Sequence, residues 1–435
     1  MTYHRCVEPM PKIVVTGGGW SGCGAALSAV KAGADVTLLE RSDMLLGTGL
    51  VGGIFRNNGR FTAAEEAIAM GGGELFELMD TMSRHKNIKF PGHEHASLYD
   101  VLNIEPEVRK LLESLGVKLL METRAVDVKM QGKKVAAVVT EDKAEIEGDS
   151  FVDCTGTAGV PANCIRYGYG CAMCILRCHT FKQRVSLAEK TGVKEWIGKK
   201  ADGTFGAISG ACKLVKDSLS PEIQKELNSK GVVVVPLPQE LVKQDKLKKK
   251  ACVQYALKEF AENIVLLDTG PAKLMTPFFP LEELRKVPGF EHARYEDPLA
   301  GGIGNSIRFM AMAPKDNKLK VQGMDNLFCG GEKAGPHVGH TEAAVTGLLA
   351  GHNAVRNALG MESIEIPATT AIGDFISYVN KETQSEEGMK QRYTFSGGVY
   401  FERMKKLGLY STNVTEIKER VEKAGVAGVF SKKLI

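Results

Sequence analysis

Six residues near the start of the chain narrow its fold more than any other feature. Gly17-Gly18-Gly19-Trp20-Ser21-Gly22 sets glycines in the pattern G-x-G-x-x-G. The pattern follows an apolar run, Lys12–Thr16, that reads as a buried strand. It opens a helical stretch over Ser21–Ala32, with Gly33 as the C-terminal cap, and Asp35–Glu40 reads as the next strand. Strand, glycine turn, helix and strand together form the context in which this pattern binds a dinucleotide. Gly17 permits the tight turn, Gly19 lets backbone approach a pyrophosphate, and Gly22 allows close packing of helix on strand. The first helical turn, at Trp20 and Ser21, offers unpaired N–H groups and a positive dipole end to phosphates. Glu40, 18 residues after Gly22, and its neighbour Arg41 stand where ribose hydroxyls are bound.

Further glycine turns decide which dinucleotide is expected. Leu46-Gly47-Thr48-Gly49 and Gly52-Gly53 come soon after Glu40. In FAD folds of the glutathione-reductase type, glycines here let the chain run along the pyrophosphate and flavin. Asp153-Cys154-Thr155-Gly156 is similar to the second strand-end turn of those folds, and Val126 lies where backbone meets the adenine. A third strand end, Asn326-Leu327-Phe328-Cys329-Gly330-Gly331-Glu332, precedes a small-residue helix over Thr341–Val355 that includes Ala343. The N-terminus of such a helix stabilises negative charge on a reduced flavin. FAD is therefore the expected cofactor. No second complete glycine pattern is present, so NAD(P)H as electron donor would dock without its own Rossmann domain.

A chain of 435 residues suggests two or three lobes. The expected fold class is α/β: a glutathione-reductase-like Rossmann FAD-binding domain with an inserted substrate domain and a helical C-terminal tail. The boundaries read as 1–160 and 300–365 for the FAD domain, 161–299 for the insert and 366–435 for the tail. Within the first part, Glu105–Leu115 reads as a helix. Val117–Lys129 and Lys133–Glu141 read as strands joined at Gln131-Gly132, and Phe151–Gly156 as a strand ending in a turn. The last helix is framed by Asn413 and Glu416, with Val414, Ile417 and Val421 on one face. Residues 1–11 are polar and short, which suits no signal peptide. The strongest apolar run, Gly231–Leu237, is too short to span a bilayer. Ten cysteines then suit a reducing, cytoplasmic location. The formal charge of +4 neither demands nor excludes a nucleic-acid partner.

The insert opens on Cys164, Cys171, Cys174 and Cys178, four cysteines within 15 residues. They are open to several readings: a dithiol exchanging electrons with the flavin, iron–sulfur ligands, a zinc site or a buried turn. Arg166, Arg177 and His179 would favour thiolate. Cys171, Cys174 and Cys178 are the catalytic candidates in the first reading, and all four are metal candidates in the second and third. His337 and His340 flank the third glycine turn as candidate proton donors. His93-Glu94-His95 reads as a polar loop, and the lysines from Lys243 to Lys250 as a solvated helix face. Arg308 stands where it would hold an anionic group.

The stretches Phe328–Gly335, Glu342–Gly351 and Pro367–Gly373, with Tyr378, resemble the GidA/TrmFO flavoproteins, which modify uridines in RNA with FAD. The first 160 residues resemble FAD-dependent oxidoreductases more generally. TrmFO-type proteins carry a cysteine soon after the first ribose-binding strand, and Arg41–Arg60 has none. The leading expectation is thus an FAD-dependent oxidoreductase acting on a small molecule or thiol through the cysteine cluster. The alternatives are an RNA uridine-modifying enzyme and a non-catalytic flavin electron carrier. No membrane partner is expected, and a homodimer is compatible with the sequence.

Overall fold

The computed structural model describes residues 10–156, 185–200, 202–205, 207–243, 253–298, 302, 305–308 and 310–435. Its centre is a five-stranded parallel sheet. The strands are β1 (Lys12–Thr16), β2 (Asp35–Leu39), β3 (Lys118–Leu120), β4 (Ser150–Asp153) and β5 (Leu327–Cys329), in the spatial order β5-β4-β1-β2-β3. The order reverses direction beside β1, the place where open parallel sheets bind ligands. Val14, Val15, Val36, Leu38, Phe151, Val152 and Phe328 are buried, as expected for strands covered on both faces.

Helix α1 (Trp20–Lys31) follows β1, and α3 (His340–Ala358) follows β5. They cross at backbone distance. A Cβ on Gly347 would lie 2.0 Å from the Ser21 carbonyl oxygen, and one on Gly351 2.1 Å from that of Ala25. Ser28 Oγ donates across the crossing to the Leu348 carbonyl at 2.7 Å. The small residues of α3 therefore serve helix packing as well as any ligand.

Two expected elements change. The strand read over Val117–Lys129 divides: Lys118–Leu120 joins the parallel sheet, and Ala125–Gln131 pairs with Lys134–Thr140 in a separate hairpin. Residues 83–99, in which His93–His95 was read as a polar loop, form strands Ser83–Phe90 and His93–Tyr99. These pair with each other, and His93–Tyr99 pairs on its other edge with Ile54–Phe55. Three register shifts in that ladder break the alternation by which a strand is recognised.

An antiparallel sheet of four strands, Cys212–Leu214, Ala272–Leu274, Asn263–Asp268 and Val232–Pro236, has a core of its own around Leu227, Leu266, Leu284 and Phe290. A smaller core, with Ile54, Leu98, Val265 and Leu267, joins it to the N-terminal part of the chain. The C-terminal helices pack back on the parallel-sheet part of the chain through α2 (Gly59–Ala69). Buried Glu66 accepts from the Ala371 and Ile372 N–H groups at 2.8 and 2.9 Å, closing the N-terminus of α4 (Ala371–Glu382). The last helix begins where Asn413 Oδ1 accepts from the Thr415 and Glu416 N–H groups, and it buries Ile417 and Val421. Among the described residues, no helix is long and apolar enough to cross a membrane.

Candidate functional site

Three strand ends meet at the first turn of α1. Gly17 packs so tightly on the second turn that its Cβ would lie 2.5 Å from the Cys154 carbonyl oxygen. Ser21 Oγ lies 3.2 Å from Cys154 Sγ, and a Cβ on Gly330 would fall 2.4 Å from that same Oγ. Ser21 is thus the point where residues 17–22, 154–156 and 330–347 converge. Gly22 would clash with the Gly17 carbonyl at 1.8 Å if it carried a Cβ, whereas a Cβ on Gly19 would meet no protein atom within 4 Å. That open side of the turn, with a helix N-terminus that has no side-chain cap, fits a pyrophosphate.

Glu40 has a role beyond the expected one. Its Oε2 accepts from the Gly18 N–H at 2.8 Å, and its Oε1 accepts from the Ser42 N–H and hydroxyl, each at 2.8 Å. A carboxylate has about four acceptor positions, so one remains for a ribose hydroxyl. Val126 lies in the irregular step between the Ala125–Thr140 and Asp127–Val139 pairs, outside the regular ladder. Thr155 turns back on Asp153, its hydroxyl donating to Oδ1 at 2.7 Å, and Gly156 follows with φ +67°.

The segment after Glu40 returns along the glycine turn, with the Leu46 N–H donating to the Gly18 carbonyl at 2.7 Å. A Cβ on Gly47 would meet nothing within 4 Å, so Gly47 and Thr48 border the same open side. The turn Gly49–Gly52 is held from the antiparallel sheet by two lysines. Lys213 donates to the Leu50 carbonyl at 3.0 Å, and Lys273 to those of Val51, at 2.6 Å, and Gly52. Burial pushes the Lys213 ammonium down from its ordinary value. At the third turn the Gly330 N–H donates to the Asp153 carbonyl at 3.0 Å, and Gly331 to Thr346 Oγ1 at 2.9 Å. Glu332 is half-buried in the following turn, and Ala343 lies one helical turn into α3. Arg41 is half-buried beyond β2.

The histidines separate by environment. His340 is the first residue of α3 and half-buried, with its Nδ1 3.0 Å from the Tyr99 hydroxyl. His337 is buried against Phe375, and desolvation followed by the Lys315 charge pushes it down to about 3. His93, expected in a polar loop, is 1% exposed. It is stacked on Phe90 and bonded to Asn57 Nδ2 and the Gln254 carbonyl, both at 2.9 Å. Burial pushes His93 to about 3 and His352 to about 4. All three stay neutral when folded but bind a proton below about pH 6.5 when unfolded. Stability is therefore full above that pH and is lost as pH falls toward the folded values. The slope is about 1.4 kcal/mol per pH unit for each histidine titrating. His93→Gln is expected to reduce the slope by about one proton, measured by urea unfolding between about pH 7 and 5.

Cys164, Cys171, Cys174 and Cys178 lie outside the described residues, as do Arg166, Arg177, His179 and the lysines from 246 to 250. The side chain of Arg308 is also outside them. Lys243 is described, and it pairs with Glu283 at 2.9 Å. The described cysteines, Cys23, Cys154, Cys212 and Cys329, are all buried, and burial raises the thiols of Cys23, Cys154 and Cys329 well above the ordinary range. No group of three metal-ligating side chains occurs among the described residues.

Sequence reasoning missed two buried ion pairs. Arg60 Nε lies 3.1 Å from both oxygens of Glu342, whose Oε1 also accepts from the Thr394 hydroxyl and the Phe395 N–H. Lys333 meets Glu195, both wholly buried, beneath the third turn. Charged residues within otherwise small-residue glycine motifs were the available signal.

A parallel sheet with three glycine-rich strand ends gathered at one helix N-terminus is the architecture of an FAD-binding fold. Residues 12–164 match the family model described as FAD dependent oxidoreductase, and residues 273–362 match glucose inhibited division protein A. Together these matches support a GidA/TrmFO-like FAD-dependent family as the one this chain resembles. It is 37% identical over 95 residues to a methylenetetrahydrofolate–tRNA-(uracil-5-)-methyltransferase TrmFO of Lactobacillus delbrueckii subsp. bulgaricus, covering 21% of this chain and 20% of that protein. The TrmFO of Caldicellulosiruptor bescii is 31% identical over 110 residues, 25% of this chain and 24% of its own. These matches thus span about a fifth to a quarter of the curated relatives. The structure of Aquifex aeolicus GidA superposes with a TM-score of 0.65 at 18% identity, covering 96% of this chain and 76% of that one. That likeness establishes the fold.

Proposed function

We propose that this protein modifies a uridine base in RNA with FAD as its redox cofactor. The carrying observation is the 37% identity to a TrmFO protein. It reverses the weighting drawn from the sequence, which set a small-molecule or thiol substrate first. FAD, when bound, supplies two-electron redox chemistry. Gly17, Gly19, Trp20, Ser21 and Gly22 would hold the pyrophosphate by backbone, Glu40 and Arg41 the ribose, and Val126 the adenine. Gly47, Thr48 and Gly49 line the flavin approach with Thr155 and Gly156. Gly330, Gly331, Glu332 and Ala343 form the turn and helix start on the far side. His340, the first residue of α3, would be the group to give or take a proton beside the bound cofactor.

The test is direct. FAD-loaded protein is incubated with an unmodified tRNA transcript, NAD(P)H and methylenetetrahydrofolate, and the nucleosides are analysed by mass spectrometry. In parallel, RNA from cells with and without the gene is compared. A uridine derivative that depends on the protein is expected in at least one arm. Unchanged nucleosides in both arms would overturn the reading. The second reading rests on Cys164, Cys171, Cys174 and Cys178, as a dithiol or cluster serving the flavin. Thiol titration and iron analysis of the anaerobically purified protein decide it.

A further inference from the structure

We propose that Tyr99 is a positioning residue that fixes the tautomer of His340, leaving Nε2 to carry the proton exchanged at the flavin. The proposal rests on the reading of this site as a flavin redox centre. It begins with the valence of one hydroxyl. Tyr99 is wholly buried, and its hydroxyl lies 2.7 Å from the Gly49 carbonyl oxygen, which only accepts. The hydroxyl's single proton is committed there. Two nitrogens then approach the same oxygen, Trp20 Nε1 at 3.4 Å and His340 Nδ1 at 3.0 Å. An indole N–H only donates. With the hydroxyl proton on the Gly49 carbonyl, His340 Nδ1 can approach that oxygen only as a donor, so it carries the hydrogen.

The same contacts fix the ring in space. His340 packs beside both Trp20 and Tyr99, with ring centroids 6.4 and 6.1 Å away, the three rings forming a triangle whose third side is 5.9 Å. Its third side rests on Gly52, where a Cβ would fall 1.7 Å from Cε1. The backbone beneath it is set by Gly339, whose φ of +143° and closeness to Arg60 and Glu342 exclude a side chain. Lys213 and Lys273 hold the Gly49–Gly52 turn whose carbonyl takes the Tyr99 proton. The antiparallel sheet is thereby connected to the orientation of one imidazole. Burial raises the Tyr99 phenol well above its ordinary range, so it remains a neutral hydroxyl. A tautomer set by a second residue is a known requirement of histidine acid–base chemistry.

The test uses FAD-loaded protein labelled with 15N in its nine histidines. Long-range 1H–15N spectra distinguish the two neutral tautomers, and His340→Gln assigns the signal. Wild type is expected to show Nδ1–H at His340, and Tyr99→Phe to convert most of it to Nε2–H. A merely structural tyrosine would alter stability without changing the tautomer. Chemical reduction of the flavin should shift the His340 signals and spare those of His352. In uridine turnover, Tyr99→Phe should lower kcat by about 10²-fold with little change in KM. An Nε2–H tautomer in wild type overturns the proposal even if Tyr99→Phe does not fold, as does an unchanged tautomer in that variant. Absence of the reduction shift would place His340 away from the flavin and overturn the proton-exchange role. Absence of RNA turnover would count against the proposed function while leaving the tautomer result decisive.

Discussion

Gly19→Val is expected to give a folded protein that does not hold FAD. Gly19 has φ −68° and ψ 179°, which valine adopts without strain, and a Cβ there meets no protein atom within 4 Å. The added methyl groups project where the pyrophosphate would approach the turn. Losing two charge-assisted bonds of about 1.5–3 kcal/mol each weakens binding by about 10²-fold or more. Flavin absorbance after reconstitution and gel filtration reads the loss, and the thermal midpoint of the apoprotein should match wild type. Gly22→Val is the contrast, because it collides with the Gly17 carbonyl at 1.8 Å and should fail to fold. Full flavin content in Gly19→Val would move the cofactor away from this turn.

Glu342→Ala is expected to destabilise the protein by about 3–5 kcal/mol, since it leaves the Arg60 guanidinium buried without its countercharge. Arg60 and Glu342 side chains are 3% and 0% exposed, so water does not substitute for either partner. Glu342 also loses its bonds to Thr394 and Phe395, at 2.7 and 2.9 Å. The double variant Arg60→Leu/Glu342→Leu should recover part of the loss, because a buried pair replaced by apolar groups no longer leaves a lone charge. Urea midpoints of the two proteins provide the comparison. A single variant as stable as wild type would show that Arg60 reaches solvent.

Much of the cofactor side was readable because its signals are local. Lys12–Thr16, the glycine turn and the strand after it lie within thirty residues, and each glycine has one steric reason. The third turn, near Gly330, was readable from its own spacing despite its distance in sequence. The sheet containing His93–Tyr99 was not. Its partner strand passes through a positive φ at Asn87, and the register shifts in the pair mix apolar and polar positions on each face. The Arg60–Glu342 and Lys333–Glu195 pairs were hidden for another reason. Each joins residues more than a hundred positions apart, and a lone charge in a sequence does not announce its partner. Tyr99 was invisible likewise, because its neighbours Trp20, Gly49 and His340 come from three separate segments.

The convergence on Ser21 also sets an order in time. Residues 17–22 leave the ribosome early, but Gly330 and Gly347, which pack on Ser21, follow more than three hundred residues later. The edge strand Leu327–Cys329 completes the parallel sheet at the same late stage, and Glu66 waits for the backbone of Ala371 and Ile372. Long-range closures of this kind are slow and leave apolar surface uncovered while synthesis proceeds. A chain stopped before residue 327 therefore has a glycine loop but no finished cradle, and the cradle closes only after residues 327–347 have been made.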